Sequence, residues 1–221
     1  TGADHMTGFV TRFAPSPTGH LHLGHAASAF HVWDTARAAG GRVLLRLEDI
    51  DQTRCRPEYE TSILAALDWL GLEASGPVRR QSDHFGDYAG VINGLNKRGL
   101  IYRGHAFAWR LSLARARAML GPRYDDLVYT EETSYGPRTV KADPQAFGDV
   151  VLARKDTPTS YHIACCHDDA LQGVTHVIRG EDIRDMTSVH VLLQALMDWP
   201  TPLYRFHPLV LGPDGKKLSK R

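Results

Sequence analysis

Apolar and polar positions follow two different periods along the first hundred residues. Residues 9–13 and 43–47 are short, mostly apolar runs, and the second is continuous enough for a strand covered on both faces. Residues 57–70 instead carry their large apolar side chains at helical spacing. The pattern predicts strand 9–13, helix 26–39, strand 43–47, helix 57–70, helix 88–97 and strand 100–102.

The regular pattern weakens after residue 102 and returns at residue 161. Between them, residues 106–120 predict a helix, and residues 124–149 are rich in turn formers, with Gly-Pro and Asp-Pro breakers. The elements predicted after that stretch are strand 161–166, strand 174–179, helix 187–197 and strand 203–211.

Strands that alternate with helices predict an α/β fold, a Rossmann-type doubly wound parallel sheet, split here by an insertion. We place the first half of the sheet domain at residues 6–101, the connective insertion at 102–160 and the second half at 161–221. Residues 1–5 precede Met6 and are interpreted as a cloning remnant, outside the fold.

Composition narrows the class of protein. The 221 residues are 43% hydrophobic and 23% charged, as in ordinary globular domains. A net charge of +1 neither indicates nor excludes a nucleic-acid partner. Three cysteines do not indicate a disulfide framework, so we expect a cytoplasmic protein. No apolar run of membrane-spanning length occurs, and no membrane role is expected.

A histidine-bearing loop lies between the first predicted strand and helix. His22 and His25 are three residues apart, with Gly24 between them. A helix start offers unpaired N–H groups and a positive dipole end, so these rings could donate to phosphate oxygens. Two alternatives remain open: a capping loop with surface histidines, or a metal site in which His20 and Glu48 or Asp49 take part.

Two arginines are predicted at strand ends that face the same crevice. The guanidinium groups of Arg12 and Arg179 match carboxylates bidentately, which favours a small acidic substrate. The alternative is a pair of salt bridges, from Arg12 to Glu48 and from Arg179 to Glu181 or Asp182. The Tyr161 hydroxyl could orient the same substrate, or the ring could simply be packed.

The chain ends on a basic cluster after a Gly-Pro-Asp-Gly turn. Lys217 and Lys220 could clamp a triphosphate from a mobile loop, or the cluster could be a solvated tail. Neighbouring Cys165 and Cys166 are interpreted as core residues.

Together these residues resemble the class I glutamyl-tRNA synthetase family. The opening loop is similar to the family's "HIGH" signature, preceded by Ala-Pro-Ser-Pro-Thr-Gly, and residues 217–221 are similar to its "KMSKS" loop. Residues 45–51, 172–182 and 207–215 also match family motifs. The resemblance implies ATP-dependent activation of L-glutamate to glutamyl-adenylate and its transfer to tRNA.

The resemblance also implies roles for individual residues. His22, His25 and Lys220 would be catalytic. The residues that would hold glutamate are Arg12, Ala14, Ser16, Glu48, Tyr161 and Arg179. Those that would bind ATP, with Mg²⁺ bridging its phosphates, are His22, Gly24, His25, Lys217 and Lys220.

Two departures from the long family members favour its short branch, the glutamyl-Q tRNA(Asp) synthetases, which glutamylate queuosine. No helical anticodon-binding domain follows the lysine loop, and Ile183 stands where long members have Trp. A third departure is from the short branch itself: Arg103 and His105 stand where its members often carry zinc-binding cysteines, so no structural zinc is expected. We expect a monomer that acts on tRNA(Asp). The alternatives are a glutamyl-tRNA synthetase catalytic domain that charges the 3′ end, another nucleotidyl transferase, or a non-catalytic glutamate- or adenylate-binding paralogue.

Overall fold

The computed structural model describes residues 8–218. The helices are α1 (Leu23–Ala38), α2 (Pro57–Trp69), α3 (Phe85–Lys97), α4 (Leu113–Leu120), α5 (Pro122–Asp125), α6 (Tyr161–Leu171) and α7 (Thr187–Met197). The strands are β1 (Val10–Phe13), β2 (Arg42–Leu47), β3 (Arg79–Arg80), β4 (Ile101–Arg103), β5 (Trp109–Leu111), β6 (Val128–Thr133), β7 (Gly136–Lys141), β8 (Val151–Ala153), β9 (His176–Gly180) and β10 (Leu203–His207).

Two sets of parallel strands meet at β1 and β9. The first half forms the sheet β1-β2-β3, and the second forms β7-β6-β10-β9, in which β9, β10 and β6 are parallel. The backbone N–H of Thr175 donates to the carbonyl of Val10 at 2.8 Å and joins the halves. From this junction the strand order runs outwards in both directions, which makes it a topological switch point. The predicted doubly wound α/β fold is confirmed.

The region between the halves adds antiparallel structure. Strands β4, β5 and β8 form a separate three-stranded antiparallel sheet. The hairpin β6–β7 extends the second half, because β6 lies beside β10. Strand β4, predicted as part of the first half, therefore pairs with strands of the insertion. The domain boundaries that we placed at 101/102 and 160/161 stay predictions.

The prediction of a strand at residues 161–166 is wrong, because these residues begin helix α6. Ser160 is its N-cap, and its hydroxyl accepts a hydrogen bond from the backbone N–H of Ile163 at 3.3 Å. The helix is buried on almost every side, so its sequence shows the continuous apolar run of a covered strand rather than an amphipathic stripe. Cys165 and Cys166 are buried, as predicted.

The helix predicted at residues 106–120 is also too long. Residues 109–111 form β5, and the helix begins only at Leu113, after the N-cap Ser112. Ser112 marks the start because its hydroxyl accepts from the N–H of Arg115.

Helix α7 matches its predicted bounds and is buried along nearly its whole length. It packs with α3, α4 and α6 in the largest apolar cluster, while α1 and α2 cover β1 and β2 in a second. Helix α1 contacts both β1 and β9 and so links the two halves of the sheet beside the carboxyl ends of these strands.

Candidate active site

A cavity of about 860 Å³ opens at the carboxyl ends of β1 and β9. Ligands of doubly wound sheets bind at this kind of switch point, and the volume lies within the usual range of ligand sites. Ten residues singled out from the sequence line this one cavity: Arg12, Ala14, Ser16, His22, Gly24, His25, Glu48, Tyr161, Arg179 and Lys217. The predicted catalytic residue Lys220 lies outside the described residues.

The two histidines of the opening loop build the start of α1. His22 is the N-cap, and its Nδ1 accepts from the backbone N–H of Gly24 at 3.0 Å. In return, Nδ1 of His25 accepts from the backbone N–H of His22 at 3.1 Å, which completes a capping box. Each neutral ring therefore carries its proton on Nε2. The capping alternative is thus confirmed as geometry.

The absence of a side chain at Gly24 makes room for the His22 ring. A Cβ at residue 24 would lie 2.9 Å from Cε1 and 3.0 Å from Nδ1 of His22. The absent side chain therefore lets the imidazole fold back over the first turn of α1. The rings of His22 and His25 then lie with centroids 3.9 Å apart.

Arg179 is a buried cation surrounded by neutral partners. Its Nη2 donates to Oγ1 of Thr187 at 2.6 Å, and its Nη1 lies 3.1 Å from Nδ1 of His190 and 3.4 Å from the Tyr161 hydroxyl. Within residues 8–218 no carboxylate pairs with it, so the proposed bridges to Glu181 or Asp182 are wrong. A cation held this way suits an anionic ligand.

Arg12, in contrast, already has a carboxylate. Its Nε donates to Oδ1 of Asp169 at 2.8 Å, and Arg46 reaches the same oxygen at 2.8 Å. The proposed bridge from Arg12 to Glu48 is therefore wrong. Although burial opposes it, these two arginines keep the pKa of Asp169 below its ordinary value. The network links β1 and β2 to helix α6.

Glu48 follows β2 and lines the same cavity as Arg179. Burial raises its pKa to about 7, against the opposing effect of Arg46 and Arg12. Among the described residues, its Oε1 is buried and accepts no hydrogen bond. A carboxylate in this state suits a cationic donor such as an ammonium group.

Lys217 also lines the cavity, and its ammonium group pairs with Asp182. A backbone bridge between Leu211 and Lys217 turns the end of the described chain back on itself. The residues after β10 thereby reach the cavity that β1 and α1 open.

A second cavity of about 590 Å³ adjoins the first. The two share Ser16, Thr18, Glu48, Tyr161 and Met186. The second is lined on its outer side by residues of the insertion, including Arg154 and Thr157. A group in the second cavity could therefore approach a ligand held in the first.

Over residues 8–218, no group of three or more His, Cys, Asp or Glu side chains is arranged to hold a metal ion. In the same part of the chain, no helix is both long and apolar enough to cross a membrane.

Sequence reasoning missed the groups that hold the arginines. Thr187 and His190 lie on α7, and Asp169 lies on α6, which was predicted as a strand. The adjacent acids Asp168 and Asp169 at the end of an apolar run carried a signal. Two acids there need buried cations: Arg12 and Arg46 pair with Asp169, and Arg79 of β3 pairs with Asp168.

A doubly wound sheet with its cavity at the switch point defines an α/β ligand-binding catalytic domain, and comparisons with known proteins specify which. The family model described as tRNA synthetases class I (E and Q), catalytic domain, matches residues 9–133 and 123–221. The chain therefore belongs to this family.

The most similar relatives fall into two lengths. The chain is 41% identical to glutamyl-Q tRNA(Asp) synthetase of Rhodobacter capsulatus, over 96% of this chain and 91% of that protein. It is 38% identical to glutamate–tRNA ligase of Nitratidesulfovibrio vulgaris, over 98% of this chain but 52% of that protein. The chain thus spans about half the length of that longer relative.

One solved structure likewise matches nearly the whole chain with about half of its own length. The glutamate tRNA ligase of Elizabethkingia meningosepticum, crystallised in complex with its amino acid, superposes with a TM-score of 0.74 at 29% identity. The match covers 96% of this chain and 52% of that one.

Proposed function

We propose that this chain activates glutamate with ATP and transfers the glutamyl group to tRNA, to queuosine of tRNA(Asp). In the first step a carboxylate oxygen of glutamate attacks the α-phosphorus of ATP, and pyrophosphate leaves. In the second, a hydroxyl of the RNA attacks the acyl carbon of glutamyl-adenylate, and AMP leaves.

The observation that carries the proposal is the charge arrangement in the cavity of about 860 Å³. Arg179 brings a positive charge that no carboxylate of residues 8–218 balances, and Glu48 brings a shielded carboxyl oxygen without a donor. A ligand that carries both a carboxylate and an ammonium group satisfies both. Ala14, Ser16 and Tyr161 line the space with them and would complete the glutamate site.

Arg12 has a different part in this proposal. Asp169 already balances the charge of Arg12. Arg12 would therefore serve the glutamate site mainly by donating a directed hydrogen bond, rather than by supplying net positive charge. Its position in the cavity wall, fixed by the hydrogen bond to Asp169, would keep the substrate carboxylates aligned.

The start of α1 suits the phosphates of ATP. The unpaired N–H groups and positive dipole end of a helix attract anions, and Nε2–H of His22 and His25 would add two donors. Donors aimed at phosphate oxygens stabilise the charge that builds during attack at phosphorus. Lys217 would leave Asp182 to bind the triphosphate, together with Lys220. The Mg²⁺ that accompanies ATP would neutralise phosphate charge.

The acceptor proposal rests on the comparison with relatives. The chain is 41% identical to the relative named glutamyl-Q tRNA(Asp) synthetase and 38% identical to the glutamate–tRNA ligase. The second cavity shares Glu48 and Tyr161 with the first and would admit the nucleoside that takes the glutamyl group.

One other function has an observation in its favour. The chain also matches glutamate–tRNA ligases over nearly all of its own length, so it could be the catalytic domain of an enzyme that charges the 3′ end.

The experiment is transfer of radiolabelled glutamate to tRNA(Asp) that contains or lacks queuosine. We expect labelling of the queuosine-containing tRNA alone. Equal labelling of both would contradict the queuosine assignment and favour 3′-end charging. The stability of the product ester provides a second readout, since the two attachment sites differ chemically.

A further inference from the structure

An exposed aromatic side chain lies in an unusual loop of the insertion. Phe107 is 76% exposed, and both it and Ala106 adopt left-handed backbone conformations, with φ of 56° and 53°. Such conformations are unfavourable for residues other than glycine. Phe107 is not a glycine and its ring is not buried, so neither backbone freedom nor packing of the ring explains its left-handed conformation.

Hydrogen bonds hold the loop in this shape. The N–H of Gly104 donates to the carbonyl of Ala108 at 2.8 Å, and the N–H of Phe107 donates to the carbonyl of Gly104 at 3.1 Å. Arg103 donates to the Phe107 carbonyl at 2.5 Å, while its guanidinium lies over the Trp109 ring, 3.8 Å from the centroid. The loop therefore presents the Phe107 ring to solvent from a fixed backbone.

The surroundings of the loop are basic. A cleft of about 660 Å³ is lined by His105, Arg110, Arg154 and Lys155, with Asp156 as its single acid. Within residues 8–218, the side chains of Arg154 and Lys155 form no ion pair. Ala106 and Ala108, the chain neighbours of Phe107, line the same cleft. A cleft with unpaired cationic side chains next to a loop that exposes an aromatic ring matches a surface that binds unpaired nucleotides.

The cleft also leads to the candidate active site. Val151 and Arg154 line both this cleft and the second cavity. That cavity in turn shares Glu48 and Tyr161 with the cavity that holds Arg179. A strand bound along the cleft would thus reach the place where glutamate is activated.

We propose that Phe107 is a stacking platform for an unpaired base of the tRNA, and that Arg154 and Lys155 bind the adjoining phosphates. The inference rests on the proposed function in taking tRNA as the partner. Stacking requires a base that is not paired, so the contact selects single-stranded nucleotides of the tRNA over duplex.

The test measures binding of fluorescently labelled tRNA(Asp), and of a duplex RNA, by anisotropy. Phe107→Ala should weaken tRNA binding roughly 5- to 150-fold, as removal of one base–aromatic stack does, and leave duplex binding unchanged. Phe107→Trp should retain tRNA binding. Trp69→Ala is the matched control: Trp69 is 84% exposed but lines neither the basic cleft nor the two cavities, and its loss should have no effect.

A second variant tests the phosphate contacts. Lys155→Gln should lower the slope of log affinity against log salt by roughly 0.7 to 0.9, the value of one phosphate contact. An unchanged slope would overturn that contact.

Glutamate-dependent pyrophosphate exchange separates this inference from the proposed function. Exchange in Phe107→Ala should equal that of the wild type. Three results for Phe107→Ala would overturn the inference: unchanged tRNA binding, equally weakened binding of tRNA and duplex RNA, or a loss of pyrophosphate exchange that parallels the loss of tRNA binding. A lower molecular mass of the variant in solution would also overturn it, because Phe107 would then serve self-association. If the wild type exchanges no pyrophosphate while Phe107→Ala still weakens tRNA binding selectively, the proposed function fails and the stacking platform stands.

Discussion

Nη1 of Arg179 lies 3.1 Å from Nδ1 of His190, and Nε2 of His190 lies 3.1 Å from Nδ1 of His162. Since the arginine can only donate, Nδ1 of His190 accepts, and its Nε2–H donates onward. Burial lowers the pKa of His162 to about 4 and the pKa of His190 well below its ordinary value. Both rings are therefore neutral at pH 7, and they hold Arg179 without balancing its charge.

Arg179→Ala should raise the KM for glutamate strongly and leave the KM for ATP nearly unchanged. The reason is that the substrate carboxylate would lose its cation, whereas the phosphates are proposed to bind at the start of α1. Steady-state kinetics with each substrate varied in turn measure the split. An equal loss for both substrates would refute the role assigned to Arg179.

Substitutions of His190 distinguish a positioning residue from a purely structural one. His190→Gln keeps a neutral acceptor near Arg179 and should leave the KM for glutamate within a few fold of the wild type. His190→Glu holds the guanidinium at least as firmly, but it supplies the charge that the substrate should supply. We expect glutamate affinity to fall at least tenfold in His190→Glu, with ATP affinity retained.

Calorimetric titration with glutamate measures the difference between the two variants. Near-equal affinities would show that the neutrality of His190 has no part in binding. Thermal unfolding of both variants serves as the control for folding.

Glu48 should give glutamate binding a pH dependence. Because burial raises its pKa to about 7, the carboxyl is largely protonated below that pH and cannot pair with an ammonium group. Glutamate affinity should therefore fall as the pH drops from 8 to 6. In Glu48→Gln, affinity should be weak and flat over this range. A wild-type profile as flat as that of the variant would contradict the assignment.

The same raised pKa affects stability. A carboxyl whose pKa is higher in the folded than in the unfolded chain stabilises the fold at low pH, and this contribution is lost as the pH rises through about 7. Glu48→Gln should thus stabilise the protein at pH 8 by up to about 3 kcal/mol and hardly at pH 5. Chemical denaturation at the two pH values measures the change in the free energy of unfolding. An equal increase at both pH values would show that titration of Glu48 is not the cause.

His22 combines two roles that a pair of variants separates. His22→Ala removes both the N-cap and the imidazole, and it should lower kcat by roughly two orders of magnitude and stability by about 1 kcal/mol. His22→Asn keeps an N-cap acceptor and should restore stability but not kcat. Recovery of kcat in His22→Asn would assign the residue to capping alone.

Local signals predicted most of the fold and of the cavity lining. Helix α7 and the capped turn before α1 were identifiable because their apolar spacing and stop residues are local. Helix α6 was not, because burial on all sides erases its helical period. Because α6 was predicted as a strand, Asp169 was not recognised as the partner of Arg12, and Glu48 was expected in its place.

The partners of Arg179 could not be read from the sequence for a different reason. His190 and Thr187 come together with Arg179 only because α7 packs beside the carboxyl end of β9. Long-range packing of this kind leaves no period or motif in the chain. The surroundings of the arginine, rather than its position at a strand end, are what support the proposal that it binds a carboxylate.

The central claim is that this cavity activates glutamate, and glutamate-dependent exchange of labelled pyrophosphate into ATP tests it most directly. We predict that the wild-type protein exchanges pyrophosphate with glutamate in the absence of tRNA. At the same glutamate concentration, Arg179→Ala should show no exchange. Exchange only when tRNA is added would favour a glutamate–tRNA ligase that charges the 3′ end. No exchange with or without tRNA, despite measurable glutamate binding, would contradict the account and indicate a protein that binds glutamate without activating it.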